Sequence, residues 1–299
     1  MNILITGGNG QLGSELKSCL TSMSAEIGKI PEVFSGAYVD YVDSETLDIT
    51  NKKAVREWFS EHVNYDAVIN CAAMTNVDGC ETQEAAAYHV NAAGPENLAE
   101  EVNLTGGKFL HVSTDYVFSG TEAAPRVETD KVCPVSAYGR SKLAGELLVK
   151  NACPKNFIVR PSWLYGYNGK NFVKTMLNLG KNKDEISVVD DQLGNPTNAN
   201  DLAYEILKII LTENYGTYHC TGEGICSWYE FASAIMKNAN LNCRVKPISS
   251  EEYAKLYPNS ARRPAYSALE NRHLADSIGN EMRQWEEALK CYLSRISLA

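Results

Sequence analysis

With 299 residues, 44% of them hydrophobic and 22% charged, the chain has the composition of an ordinary globular protein, large enough for one extensive α/β body or two packed lobes. A net charge of −9 argues against a nucleic-acid partner, because proteins that wrap polyphosphates present a basic surface. The nine cysteines form no C-x-x-C pair, MNILITGG is not a basic stretch leading into a long apolar run, and no apolar stretch reaches membrane-spanning length. These features lead us to expect reduced thiols, a cytoplasmic protein and no membrane partner.

Short β-branched runs alternate with amphipathic patterns through the first half, which predicts a Rossmann-type, doubly wound α/β fold with helices on both faces of a parallel sheet. Strands are expected at 2–6, 37–42, 67–70, 108–113 and 157–161, and helices at 11–20, 51–62, 81–102 and 137–150. Beyond 161, turn-rich stretches at 165–170, 190–200 and 258–264 separate shorter helical patterns and predict a smaller lobe. The expected division is a dinucleotide-binding domain at 1–162 and a substrate-binding lobe at 163–299, with part of 193–214 returning to the first domain. No repeat or Gly/Ser-rich linker separates the two, so they should pack together.

Between the first strand and first helix stands Gly7-Gly8-Asn9-Gly10-Gln11-Leu12-Gly13, which satisfies both G-x-G-x-x-G and G-x-x-G-x-x-G. Glycines there allow a tight turn and close approach of a pyrophosphate to backbone, and the helix N-terminus offers free N–H groups and a positive dipole. An acid ending the second strand should hold the adenosine ribose; Asp43 fits, delayed by an insertion at 21–36, the alternatives being Asp40 in that place or a merely solvated Asp43. Ser44 follows Asp43 where an arginine would greet a 2′-phosphate, which leans toward NADH without excluding NADPH. Asp48 and Ile49 fit either an adenine contact or a helix start. Ala72 and Ala73, at the end of the third strand, fit either cofactor passage or helix packing.

Tyr138 and Lys142 are four residues apart, hence one turn apart on one helix face. A cation beside a phenol lowers its pKa toward the working range and suits it to general-acid chemistry. Thr114, at the end of the fourth strand, adds a hydroxyl at the edge where parallel sheets bind ligands.

These segments, together with Ser113-Thr114-Asp115-Tyr116-Val117-Phe118, Tyr138-Gly139-Arg140-Ser141-Lys142, Arg160-Pro161-Ser162-Trp163-Leu164-Tyr165-Gly166 and Arg263-Pro264-Ala265-Tyr266-Ser267, resemble the extended short-chain dehydrogenase/reductase family over nearly the whole chain. The likeness is greatest to its branch acting on dTDP-4-ketosugars. The resemblance implies a catalytic triad of Thr114, Tyr138 and Lys142. It implies a cofactor, NADPH or NADH, held by Gly7, Gly10, Gln11, Leu12, Gly13, Asp48, Ile49, Ala72, Ala73, Met74, Tyr138 and Lys142. Thr114, Asp115 and Trp163 would meet the sugar, although Trp163 equally fits the lobe junction. Arg262 or Arg263 would anchor a diphosphate, their other reading being an exposed turn. The implied activity is reduction of the 4-keto group of dTDP-4-dehydro-6-deoxy-L-mannose to dTDP-L-rhamnose. The alternatives are a reductase or epimerase of another nucleotide 4-ketosugar, or a non-catalytic subunit of the same fold. Some relatives are dimers bridged by Mg²⁺; Asp190 and Asp191 also fit a solvated turn, so the sequence assigns neither a metal nor a choice between monomer and homodimer.

Overall fold

The structure is a computed structural model that describes residues 1–296. Six parallel strands form the main sheet: β1 (Asn2–Thr6), β2 (Tyr38–Val42), β3 (Ala67–Asn70), β4 (Lys108–Val112), β5 (Asn156–Arg160) and β6 (Gly216–His219), in the spatial order β6-β5-β4-β3-β1-β2. Every residue of β3 and β5 is buried, as expected of strands covered on both faces.

Alternation along the strands divides the core in two. Ile3, Ile5, Ile69, Leu110 and Val159 point toward α1 (Gln11–Ser22), whose Leu12 and Leu16 join them. Leu4, Val68, Phe109 and Ile158 point the other way, where they meet Val55 and Phe59 of α2 (Lys52–Glu61), Leu98 and Val102 of α3 (Gly94–Thr105), and Val149 of α4 (Ala137–Ala152). The sheet order reverses between β1 and β3, so a crevice opens at the carboxyl ends of those strands.

The helix expected over 81–102 is instead Val77–Thr82, Glu84–Tyr88, a π turn at His89–Ala93, and α3. Pro95 lies in the first turn of α3 and has no N–H to donate to the carbonyl four residues back, so the ladder is broken there and the turn widens.

The smaller lobe contains α5 (Phe172–Asn182), α7 (Trp228–Asn238) and α8 (Trp285–Arg295) around Val173, Met176, Phe231, Ile235, Leu289 and Tyr292. Between α5 and α7 the chain goes back to the sheet: α6 (Ala199–Ile209) lays Leu202 and Ile206 into the core shared with α1, and β6 pairs with β5. Leu274 and Met282, later in the chain, join the same core.

Candidate active site

The glycine loop is built by contacts that forbid side chains. Gly7 has a φ of 67°, and a Cβ there would lie 2.8 Å from the Ala72 nitrogen; at Gly13 it would lie 2.3 Å from the Gly7 carbonyl oxygen. The Gly8 amide donates to the Val42 carbonyl (3.1 Å) and the Asn9 amide to the Asp43 carboxylate (3.2 Å), tying the loop to the end of β2. Gly10 precedes α1 without a side-chain cap, so the first-turn N–H groups of Gln11, Leu12 and Gly13 have no side-chain acceptor at the helix mouth. Such a cradle fits a dinucleotide pyrophosphate.

Of the two acids weighed for the ribose, Asp43 stands against this loop, while Asp40 accepts the Tyr65 hydroxyl at 2.5 Å. Asp48 is exposed and accepts from the Thr50 amide and hydroxyl, and the cap of α2 is Asn51. Ile49 is buried, its side chain wedged against Gly94. Ala72 backs Gly7, Ala73 faces the cleft, and the Met74 backbone is clamped by Asn91, whose amide accepts from its nitrogen (2.8 Å) and donates to its carbonyl (3.0 Å).

The loop opens onto a cleft of about 720 Å³ whose other walls include Thr114, Asp115, Tyr138, Lys142 and Trp163. Ser136 caps α4 by accepting the Gly139 amide (3.1 Å), and α4 then presents Tyr138 and Lys142 on its buried face, 9% and 1% exposed. The Thr114 hydroxyl donates to Asp115 Oδ1 (2.9 Å), accepts from the Tyr116 amide (3.3 Å) and shares the cleft wall with the Tyr138 phenol. Lys142 Nζ donates to the Val112 carbonyl (2.7 Å) and lies 3.4 Å from His111 Nε2.

The electrostatics differ from the sequence expectation. Burial pushes the Tyr138 phenol up from its ordinary value, Asp115 adds to this, and only the Thr114 hydroxyl opposes it; Lys142 is turned toward the Val112 carbonyl and His111 and does not pull the phenol down. Burial brings Lys142 itself down to about 8, against the pull of Glu146, and raises Asp115 to about 6. Asp115 Oδ2 is buried and makes no hydrogen bond of good geometry, while the neighbouring Ser267 and Thr114 hydroxyls oppose the effect of burial on its carboxyl.

Trp163 holds a left-handed φ of 45° and lies flat on Trp228, with ring centroids 3.5 Å apart and 7° between planes; both rings face the cleft. Arg262 and Arg263 do not line it. They border a neighbouring cavity of about 550 Å³, where Arg263 is paired with Asp78 at 3.0 Å. Sequence reasoning missed Lys170, Asn171, Phe172 and Trp228, all on the cleft wall, and Asn91 behind it. Lys170 supplies a cation where none was expected. The turn-rich run at 165–170 was the available signal, but it reads only as punctuation until the lobes are folded together. Asp190 and Asp191 accept from Ser227 and Ser250, and among the described residues no group of His, Cys, Asp or Glu is placed to hold a metal ion.

A parallel Rossmann-type sheet, a glycine cradle at its first turn and a Thr-Tyr-Lys set beside it define the extended short-chain dehydrogenase/reductase class. Within it, the chain belongs to the RmlD substrate binding domain family, which matches residues 1–298. A dTDP-4-dehydrorhamnose reductase from Clostridium acetobutylicum is 47% identical with a TM-score of 0.91, covering 98% of this chain and 99% of that one. The dTDP-4-dehydrorhamnose reductase from Bacillus anthracis, solved in complex with NADP, is 41% identical with a TM-score of 0.90 over 99% of both chains. The spore coat polysaccharide biosynthesis protein SpsK of Bacillus subtilis is 39% identical over 99% of this chain and 98% of its own.

Proposed function

We propose that the protein is an NAD(P)H-dependent reductase of the 4-keto group of dTDP-4-dehydro-6-deoxy-L-mannose, giving dTDP-L-rhamnose. The observation that carries this reading is that Thr114, Tyr138 and Lys142 share one cleft with the glycine cradle. The substrate follows from two relatives of more than 40% identity that bear the reductase's name.

A bound nicotinamide would supply the hydride. Thr114, rotating its hydroxyl away from Asp115 Oδ1, donates to the ketone oxygen, and Tyr138 delivers the proton that turns the developing alkoxide into the product hydroxyl. The phenolate left behind is steadied by Lys142 as an ammonium, which must swing from the Val112 carbonyl toward the cleft. Asp115 Oδ2 accepts a sugar hydroxyl, and Trp163, braced by Trp228, offers a flat apolar wall to the deoxysugar. Arg262 is the exposed guanidinium at the cavity next door and takes the nucleotide's phosphates, with Arg263 held near it by Asp78.

On the coenzyme side, Asp43 repels a 2′-phosphate, while Lys17, lining a shallow cavity with Gly8 and Asn9, offers it a cation. Either coenzyme is accommodated, and the ratio of kcat/KM values measures the balance. All nine cysteines are free and no described helix is long and apolar enough to cross a membrane, which fits a cytoplasmic enzyme, monomeric or homodimeric. Purified protein should oxidise NADH or NADPH when given the dTDP-4-ketosugar, with dTDP-L-rhamnose as the NMR-identified product. A different epimer, or no oxidation with either coenzyme, would overturn the reading.

A further inference from the structure

Behind the cleft, a file of buried polar groups runs from β1 to α4. Thr6 Oγ1 donates to Asn70 Oδ1 (2.6 Å), and the Ala72 backbone amide donates to the same oxygen (3.2 Å). A backbone N–H can only donate, so the Asn70 amide is oriented with its oxygen toward Ala72 and its nitrogen toward His111. Asn70 Nδ2 lies 2.9 Å from His111 Nδ1. An NH₂ group has no acceptor function there, so His111 Nδ1 must accept, and the single proton of the neutral ring sits on Nε2.

That Nε2–H faces Lys142 Nζ at 3.4 Å. The approach is enforced: a Cβ at Gly145 would lie 2.2 Å from the Asn91 carbonyl oxygen and 3.3 Å from His111 Nε2, so only a glycine lets α4 settle this closely on the ring. An ammonium at Lys142 would oppose its own N–H to that of the imidazole. The amine form instead accepts from His111 with its lone pair while still donating to the Val112 carbonyl (2.7 Å).

We propose that His111 is a positioning residue, a donor locked in its Nε2–H tautomer by Asn70, which favours the amine over the ammonium of Lys142 and so sets the pH above which that lysine no longer carries its charge. The inference rests on the reductase reading, in which Lys142 serves Tyr138. The other groups around Lys142 work in the opposite direction or are engaged. Glu146, one turn along α4, favours the ammonium, but Arg160 and Ser113 already bond its carboxylate. Tyr138 is neutral, and burial keeps the Cys71 thiol, beyond β3, protonated, raised to about 12. His111 is fully buried and held well below its usual value by desolvation and by Lys142, so it remains a neutral donor.

Two measurements on the intact protein decide this without relying on turnover. Nitrogen NMR of histidine-labelled protein should find His111 neutral, with Nε2 protonated, throughout the neutral range; an Nδ1–H tautomer, or protonation near the ordinary histidine value, overturns the proposal. Carbon NMR of the Lys142 Cε should show its midpoint moving up by roughly one pH unit in His111→Phe, the size expected for loss of one hydrogen bond to the neutral form. The basic limb of kcat/KM should move with it, whereas a merely structural defect lowers kcat/KM at every pH alike. Asn70→Ala, which frees the tautomer while leaving the imidazole in place, should shift the same midpoint in the same direction. An unmoved midpoint in folded variants overturns the proposal while leaving the reductase reading intact, and inactive wild-type protein with the expected tautomer and titration does the reverse.

Discussion

Glu146 and Arg160 meet through two hydrogen bonds of 2.8 and 2.7 Å in a place where their side chains are 1% and 3% exposed. Both charges are out of water, so each depends on the other. Glu146→Ala or Arg160→Ala should lower stability by about 3–5 kcal/mol, because one buried charge is left unmatched. A double change to apolar residues of similar volume should cost far less than the sum of the singles. Urea unfolding of the three variants measures this.

Tyr138→Phe keeps the ring packed against Tyr116, with centroids 5.6 Å apart, and removes only the hydroxyl. Turnover should fall by roughly two to four orders of magnitude, with coenzyme affinity little changed. Single-turnover kinetics together with a coenzyme titration by tryptophan fluorescence would show the split; normal turnover would remove Tyr138 from its assigned place.

Gly13→Ala puts a methyl 2.3 Å from the Gly7 carbonyl oxygen and forces the loop off α1. Coenzyme affinity should weaken by about a hundredfold or more, the equivalent of a few kcal/mol of displaced backbone. Calorimetric titration of NADPH into the variant would reveal it.

The rate should depend on pH through two groups. Asp115 must be a carboxylate to accept a sugar hydroxyl, and burial lifts it to about 6, so kcat/KM should fall as pH drops below that value. Lys142 must be an ammonium to steady the phenolate, and its value of about 8 makes kcat/KM fall again as pH rises past it. Asp115→Asn should abolish the acidic limb and leave the basic one.

Trp228→Ala strips the support beneath Trp163, whose left-handed backbone leaves it few alternative resting places. The KM for the ketosugar should rise about threefold to tenfold, the value of one aromatic pair, with the coenzyme KM unchanged. Steady-state kinetics in both substrates separates the two.

The sheet and the glycine turn were legible because they are local: β1, β3, β4 and β5 are short buried runs, and Gly7 to Gly13 sit at one turn. Tyr138, Lys142 and Thr114 were legible because helix periodicity and strand ends place them on the same side. What escaped depends on distant packing. Asn91 was lost inside a pattern that reads as one long helix, although Pro95 breaks its ladder, and Trp228 and Lys170 become cleft residues only once α7 packs on Trp163 and Phe172 and the 165–170 turn comes against Gln11. The phenol's environment was misread because spacing reveals proximity along a helix, whereas the direction of the Lys142 ammonium is set by the Val112 carbonyl and His111 on another element.

The late return of the chain to build α6 and β6 has a consequence for how the molecule comes apart. A fragment ending at 162 would lack both elements, leaving the flank of β5, with Phe157 and Val159, and the outer side of α1 open to water. The first part lacks a finished interior, and α6 and β6 in the second lose the core they pack into, so limited proteolysis near that point should yield pieces that stay associated or aggregate rather than separable domains, and melting should proceed as a single cooperative event.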